Sequence, residues 1–360
     1  VKAEFPAAHL RCPVCRHEHT LSLEAEQSDV REVREGELHC AACGARQTVH
    51  RGVGELMVDA PEHVAREADG LGRFAEVMRA DGWTPDRIRA LPDIQDGYWY
   101  VQGESIRQLF ESVAITPGQW VLDLGSNTCW ATNYFAVRGL NAIALDISRW
   151  EMQGLWTADY FIEDEISYFE RVLGSMNDMP IASESLDYVY ACEVLHHNDS
   201  AGLRRTFEEA WRVLKPGGRM LIINETLKTV QDPSGVHVDA VEQFDGYEHA
   251  HWAAQYRWEA TRAGFTTRVL QPSYHPFFRA RPTGERPPLR DWKAWGYDEA
   301  QRTELGRRAY HIWLNHVRGG VSFSMIATKP VAAAPAGALR GLGGAADRLR
   351  GLRRRAARRD

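Results

Sequence analysis

The chain has 360 residues, 44% hydrophobic and 26% charged, with a net charge of −6 at neutral pH. That composition excludes a disordered or fibrous protein and provides for one large domain plus a smaller module. No apolar run approaches the ~18–20 residues of a membrane span, and residues 1–10 lack a secretory signal's apolar stretch, so the expected setting is the cytoplasm.

Residues 1–60 hold four of the six cysteines, as Cys12-Pro-Val-Cys15 and Cys40-Ala-Ala-Cys43, with 24 residues between Cys15 and Cys40. Each C-x-x-C knuckle turns tightly enough to aim two thiolates at one ion. Two knuckles make a closed tetrahedral site, structural rather than catalytic, so Cys12, Cys15, Cys40 and Cys43 are the expected ligands of a structural Zn²⁺. Redox thiols are the alternative reading of the same pattern. The segment is read as a small N-terminal zinc ribbon.

Residues 61–115 read as a mostly helical linker or lid, broken at Gly82-Trp83-Thr84-Pro85 and Leu91-Pro92. In residues 116–330, short apolar runs alternate with helical stretches. Trp120–Leu124, Asn141–Asp146, Leu186–Cys192 and Arg219–Ile223 are expected strands. Asn133–Arg138 and Arg204–Leu214 are expected helices, the latter stopped by Lys215-Pro-Gly-Gly218. Strands alternating with helices predict a doubly wound, mostly parallel α/β sheet. Its ligand belongs at the carboxyl ends of the strands. Gly125 after the first strand permits a tight turn, and Asp146 at the end of the second can accept two hydrogen bonds from a ribose.

These residues carry a resemblance. Val121-Leu-Asp-Leu-Gly-Ser-Asn-Thr128, Ala144-Leu-Asp146, Leu186-Asp-Tyr-Val-Tyr-Ala-Cys-Glu-Val-Leu-His-His197 and Arg212-Val-Leu-Lys-Pro-Gly-Gly218 resemble the successive motifs of class I S-adenosylmethionine-dependent methyltransferases. The likeness covers roughly residues 95–230 and the closing Ser322–Thr328 strand. It implies a seven-stranded Rossmann-like methyltransferase sheet, with S-adenosylmethionine as cofactor. By the same resemblance Asp123 and Gly125 would line the methionine part, with Ser126 and Asn127 also binding the cofactor. Asp146 would hold the ribose, with Ile147 against the adenine and Ser175, Met176 and Asn177 at the adenine edge. Glu193 would stand beside the reacting centre. Three features depart from the family pattern: Asn127 and Cys129 replace the later two glycines of the turn, and Ser175 replaces the usual acid. The Cys43–Met57 stretch is similar to zinc-ribbon modules fused to or partnered with many methyltransferases.

For chemistry, His196 and His197 follow the fourth strand of the motif set, where a general base for a hydroxyl acceptor is needed. A second cluster is His237, Asp239, Glu242, Asp245, Glu248, His249 and His251. It sits within lid insertions expected at about 231–260 and 285–320. His249 is the preferred base there, and the cluster could instead hold a divalent ion or only shape the pocket. The aromatic run Tyr98-Trp99-Tyr100 could close over the cofactor. Residues 331–360 carry eight Arg against two Asp. Their glycines favour a solvated basic tail over an amphipathic helix making weak contact with an anionic membrane surface.

The rest of the chain is correspondingly acidic, a poor match for a nucleic-acid backbone. The reading is therefore methyl transfer to a small-molecule acceptor: a sugar, glycan precursor or secondary metabolite. The alternatives are an rRNA or tRNA methyltransferase using the ribbon for RNA, and a non-catalytic cofactor-binding scaffold.

Overall fold

In the central strands most residues are buried, and successive side chains serve different cores. Leu122 and Leu124 pack on one face and Val121 on the other. Ile143 and Leu145 oppose Ala142 and Ala144, and Met220 and Ile222 oppose Leu221 and Ile223. A strand covered on both faces reads as a continuous apolar run, which is what parallel sheets flanked by helices require. The computed structural model of the chain describes residues 1–94, 96–234, 243–271, 292–318 and 323–331.

We number the strands β1 (Leu21–Ser28), β2 (Val33–Cys40), β3 (Arg46–His50), β4 (Val53–Glu55), β5 (Trp120–Leu124), β6 (Asn141–Asp146), β7 (Glu170–Leu173), β8 (Leu186–Cys192), β9 (Leu214–Glu225), β10 (Thr266–Leu270) and β11 (Phe323–Thr328). They form one sheet in the order β1-β2-β3-β4-β7-β6-β5-β8-β9-β11-β10. From β7 to β9 neighbours run parallel, and β11 is antiparallel to both β9 and β10. The strand order reverses direction at β5 and β8, creating a crevice at their carboxyl ends.

The sheet has eleven strands, not the expected seven, because the ribbon is not set apart. Its last strand, β4, pairs parallel with β7, Gly54 opposite Val172 and Glu55 opposite Leu173. An open edge at β7 is thereby covered and its backbone groups satisfied. Leu21, Leu38 and Val49 of the ribbon share one core with Val172, Met179 and Ile181.

A charged seam closes the same junction. Arg171 on β7 is fully buried and pairs with Glu32, and its Nη1 donates to Asp159 at 2.9 Å. Arg34 and Arg51 of the ribbon reach Asp159 at 3.0 and 2.8 Å. Residues 1–329 accordingly cluster as one unit.

Two local expectations differ. Lys215-Pro-Gly-Gly218 does not end an element. It is a bulge inside β9, between the pairs Leu186–Leu214 and Tyr188–Arg219, with Gly217 at φ 84°. The helix after β5 spans Trp130–Ala136, starting earlier than the apolar spacing suggested. Among the described residues, no helix is long and apolar enough to cross a membrane.

Candidate functional site

The loops after β5, β6, β7 and β8 surround a cavity of about 770 Å³, within the usual size of ligand pockets. Its wall includes Asp123, Gly125, Ser126, Asn127, Asp146, Ile147, Ser175, Met176, Asn177, Glu193 and His197, eleven residues singled out from the sequence and brought into one place.

The turn after β5 is built for close approach. Gly125 has φ 61°, and a Cβ there would lie 2.3 Å from Val194 Cγ2, so only glycine fits. Asn127 and Cys129 also adopt left-handed backbone, at φ 46° and 56°. The Asn127 amide donates to Asp146 Oδ2 at 2.8 Å, and the Ser148 amide to Asp146 Oδ1 at 2.8 Å. Each carboxylate oxygen keeps a further lone pair for a ligand. Asp123 accepts from Thr132 Oγ1 at 2.5 Å.

Burial pushes three of these carboxyls upward. Asp123 rises to about 7, against its Thr132 hydrogen bond and with Asp146 adding repulsion. Asp146 rises to about 6, although backbone amides of Asn127 and Ser148 pull it down. Glu193 rises to about 7, with the Tyr98 hydroxyl donating to Oε2 and pulling the other way. Glu193 Oε1 is buried and accepts no hydrogen bond among the described residues. A cavity lined by carboxyls that ionise only with difficulty suits a cationic ligand.

An aromatic wall faces them. The helix Gly97–Ser112 begins at Asp96, whose side chain accepts from the Tyr98 and Trp99 amides. Tyr98, Trp99, Trp83 and Trp130 line the cavity, with Trp99 edge-on to Trp130 at 5.8 Å. Such rings offer their faces to a cation.

The structure gives the three predicted histidines different surroundings. His197 reaches the cavity, and its Nδ1 lies 2.6 Å from Glu67 Oε1. Burial lowers its affinity for a proton, but the Glu67 bond and charge outweigh this and raise His197 to about 9. The Glu67 carboxylate thus fixes the ring through Nδ1, and His197 is not a free base. His196 is buried behind the cavity wall, with Nδ1 2.6 Å from Glu225 Oε1.

His249 is not on the cavity wall. Its amide donates to the His196 carbonyl at 2.6 Å and its ring stands edge-on to Tyr247. From the same loop it is Glu248 that turns inward, toward His196. Alternation along an irregular loop has no fixed period, so the sequence could not tell which neighbour faces in. His251 is buried on the Asn198 carbonyl at 2.8 Å. His237, Asp239, Glu242 and the tail from 332 lie outside the described residues.

Several site residues were missed. Glu67, on the helix Glu62–Ala80, is only 6% exposed, and its Oε1 also accepts the Tyr247 amide at 3.2 Å. The signal was present: Glu67 falls in the helical register of Leu71, Phe74, Ala75 and Met78, an acid on the apolar face. Gly70 of this helix lets the Phe244 carbonyl pass where a Cβ would sit 1.6 Å away. That contact brings the 243–250 loop down onto the site. Gln153, bonded to the Asn127 side chain at 2.7 Å, and Glu225 carried no such signal.

In the ribbon the four cysteine thiols converge, all within 4.8 Å of one another. Cys12 and Cys43 sulfurs are 3.8 Å apart, and those of Cys15 and Cys40 are 3.7 Å apart. Zn–S bonds of about 2.3 Å in a tetrahedron put sulfurs about 3.8 Å apart, so the set fits zinc. The knuckles repeat each other's backbone. Arg16 and Gly44 are left-handed and donate to the Cys12 and Cys40 carbonyls, each at 2.9 Å.

Comparison with known proteins agrees with the motif order. Residues 122–222 match the methyltransferase domain family. The biotin biosynthesis bifunctional protein BioHC of Cellvibrio japonicus is 31% identical over 131 residues, 36% of this chain and 24% of its own length. An uncharacterized methyltransferase of Synechocystis is 34% identical over 122 residues, 34% of this chain and 54% of its own. The arsenite methyltransferase of Halobacterium salinarum is 30% identical over 129 residues, 35% of this chain and 32% of its own. The chain thus spans about a quarter to a half of the length of these relatives. Among solved structures, the YcgJ protein of Bacillus subtilis superposes with a TM-score of 0.42 at 16% identity, covering 63% of this chain and 99% of that one. A geranyl diphosphate C-methyltransferase from Streptomyces coelicolor gives 0.46 at 15%, covering 76% and 99%.

Proposed function

We propose, from the premise that this chain is built around a class I S-adenosylmethionine-dependent methyltransferase domain, that its central cavity transfers a methyl group to a small-molecule acceptor. The observation that carries the reading is the cradle itself: an obligatory glycine turn beside the buried pair Asp123 and Asp146, at the point where the sheet order reverses.

Asp123, Gly125, Ser126 and Asn127 would hold the methionine moiety and Asp146 the ribose. Ile147 would lie against the adenine, with Ser175, Met176 and Asn177 along its edge. S-adenosylmethionine supplies an activated methyl carbon. Bound there, it would give up that carbon to the acceptor atom, leaving the thioether, as the acceptor gives up its proton. The protein's share is alignment and deprotonation. Glu193, raised to about 7 and with a bare buried oxygen, is a better candidate proton acceptor than His197, whose Nδ1 is engaged by Glu67.

The sugar, glycan-precursor or secondary-metabolite class is the family's tendency, and an aromatic-walled cavity and an acidic chain body favour it over RNA. The ribbon, with a structural zinc ion at Cys12, Cys15, Cys40 and Cys43, would brace the edge of β7. Six free cysteines suit a reducing cytoplasm. Purified protein incubated with radiolabelled S-adenosylmethionine and fractionated extract is expected to label a small-molecule fraction. Label in RNA would select the RNA reading, and donor binding with no labelled product would select the scaffold.

The raised carboxyls also set a pH dependence. In the folded, donor-free chain Asp123, Asp146 and Glu193 retain protons that the unfolded chain has released. Their stabilising contribution is therefore present at acid pH and lost as pH rises through 6 to 7. A cationic donor binds the ionised forms. Its affinity is expected to rise roughly tenfold or more between about pH 5.5 and 7.5 and then level off. Calorimetry over that range checks this, and an affinity that is flat or falls would exclude these carboxyls as the donor's partners.

A further inference from the structure

Two histidines and three carboxylates meet beside the cavity, contributed by four segments. His196 and His197 follow β8, and Glu225 ends β9. Glu67 comes from the helix Glu62–Ala80, and Glu248 from the loop over it. The imidazole centroids are 4.4 Å apart. Each ring has its Nδ1 engaged by a carboxylate at 2.6 Å, His196 by Glu225 and His197 by Glu67. Metal-binding histidines are commonly oriented in this way, with a carboxylate on one ring nitrogen fixing the tautomer that presents the other.

The three carboxylates are not equivalent. Glu225 also accepts the Leu195 and His196 amides at 3.1 and 3.2 Å, and Glu67 the Tyr247 amide at 3.2 Å. Both are satisfied and act as orienting groups. The Glu248 side chain is 3% exposed, and its Oε2 stands 3.5 Å from His196 Nε2. Among the described residues that oxygen accepts no hydrogen bond. An unsatisfied buried carboxylate oxygen is costly. Ligand atoms of His196, His197 and Glu248 lie within 4.8 Å of one another. Bonds of about 2.1 Å to one ion place such atoms about 3–4 Å apart, a small inward closure.

We propose that His196, His197 and Glu248 bind a divalent transition-metal ion, distinct from any held by the cysteines. Two imidazoles and one carboxylate suit Zn²⁺, Mn²⁺, Fe²⁺ or Co²⁺ rather than Mg²⁺ or Ca²⁺. Three protein ligands leave coordination positions open, and His197 belongs to the cavity wall. If the methyltransferase reading holds, the ion is the anchor of the acceptor, and the acceptor class is one that presents an anionic oxygen as a ligand.

The test uses the full chain, stripped with a chelator and titrated with Co²⁺. Ions on the cysteines give intense thiolate charge-transfer bands. The proposed site gives only weak visible bands, together with uptake beyond the thiolate-bound ion. Glu248→Gln is expected to abolish that second uptake while the thiolate bands and the metal-free melting temperature persist. Glu67→Gln is expected to weaken it by roughly 10–100-fold. Wild-type protein that takes up only the thiolate-bound ion, or Glu248→Gln protein that keeps the second with unchanged affinity, would overturn the site. Methyl transfer is not part of this readout, so a chain that binds the second ion but transfers no methyl group keeps the site and loses the catalytic reading.

Discussion

Asp146→Ala is expected to weaken S-adenosylmethionine binding by about 3–4 kcal/mol, a few-hundredfold in Kd. The carboxylate ends β6 and belongs to the cavity wall. Two hydrogen bonds from ribose hydroxyls to a charged acceptor contribute about 1.5–3 kcal/mol each. The fold should largely survive. The substitution removes two amide-to-carboxylate bonds, from Asn127 and Ser148, but also a carboxyl whose burial is itself costly. Asp146→Asn keeps the size and one acceptor, so it should fall between the two. Calorimetric titration, with circular dichroism as the fold control, measures both. Unchanged affinity in folded Asp146→Ala protein would refute the ribose assignment.

Arg171→Met should destabilise the chain by about 3–5 kcal/mol, the usual result of removing one partner from a buried ion pair. Arg171 is fully buried, between Glu32 of the ribbon and Asp159. Without it Glu32 loses its fully buried guanidinium partner and keeps Arg34 at 3.0 Å and the Val1 amino group at 3.2 Å. For a unit of this size that loss corresponds to roughly 4–7 °C in Tm. The double variant Arg171→Met, Glu32→Gln removes the stranded charge and should recover part of the loss. Differential scanning calorimetry of the single and double variants decides it. A single variant as stable as the parent would mean the seam does not bind the ribbon to the sheet.

The same residue explains an omission. Glu170-Arg171-Val172-Leu173 was not read as a strand because two of its four residues are charged, yet β7 lies between β6 and the ribbon with all four buried. Arg171 is neutralised by Glu32 and Asp159, and Glu170 accepts from the Lys2 amide, partners from elsewhere in the chain. A pattern that looks polar in one dimension becomes core once those partners are supplied. By contrast Trp120–Leu124, Asn141–Asp146 and Leu186–Cys192 match β5, β6 and β8 to the residue, because strands buried on both faces announce themselves as short apolar runs.

The cavity shows the same division. Its glycine turn and the acids after β5 and β6 were legible, since a tight turn and a strand-ending carboxylate are local requirements set by adjacent residues. The histidines were legible only as candidates. Whether an imidazole is a base, a cation or a ligand depends on what stands against each ring nitrogen. Those partners, Glu67, Glu225 and Glu248, lie about 130, 29 and 52 residues away in the chain.

By itself the sequence determined the elements whose logic is local: the apolar strands, the glycine bend, the strand-ending acid and the paired cysteine knuckles. Only the tertiary structure decided that the ribbon extends the sheet to eleven strands, that Arg171 is core, and that Glu248 rather than His249 faces the histidines. These depend on charges and backbone edges meeting across long stretches of chain, where the free energy of burial is settled by the partner and not by the neighbour in sequence.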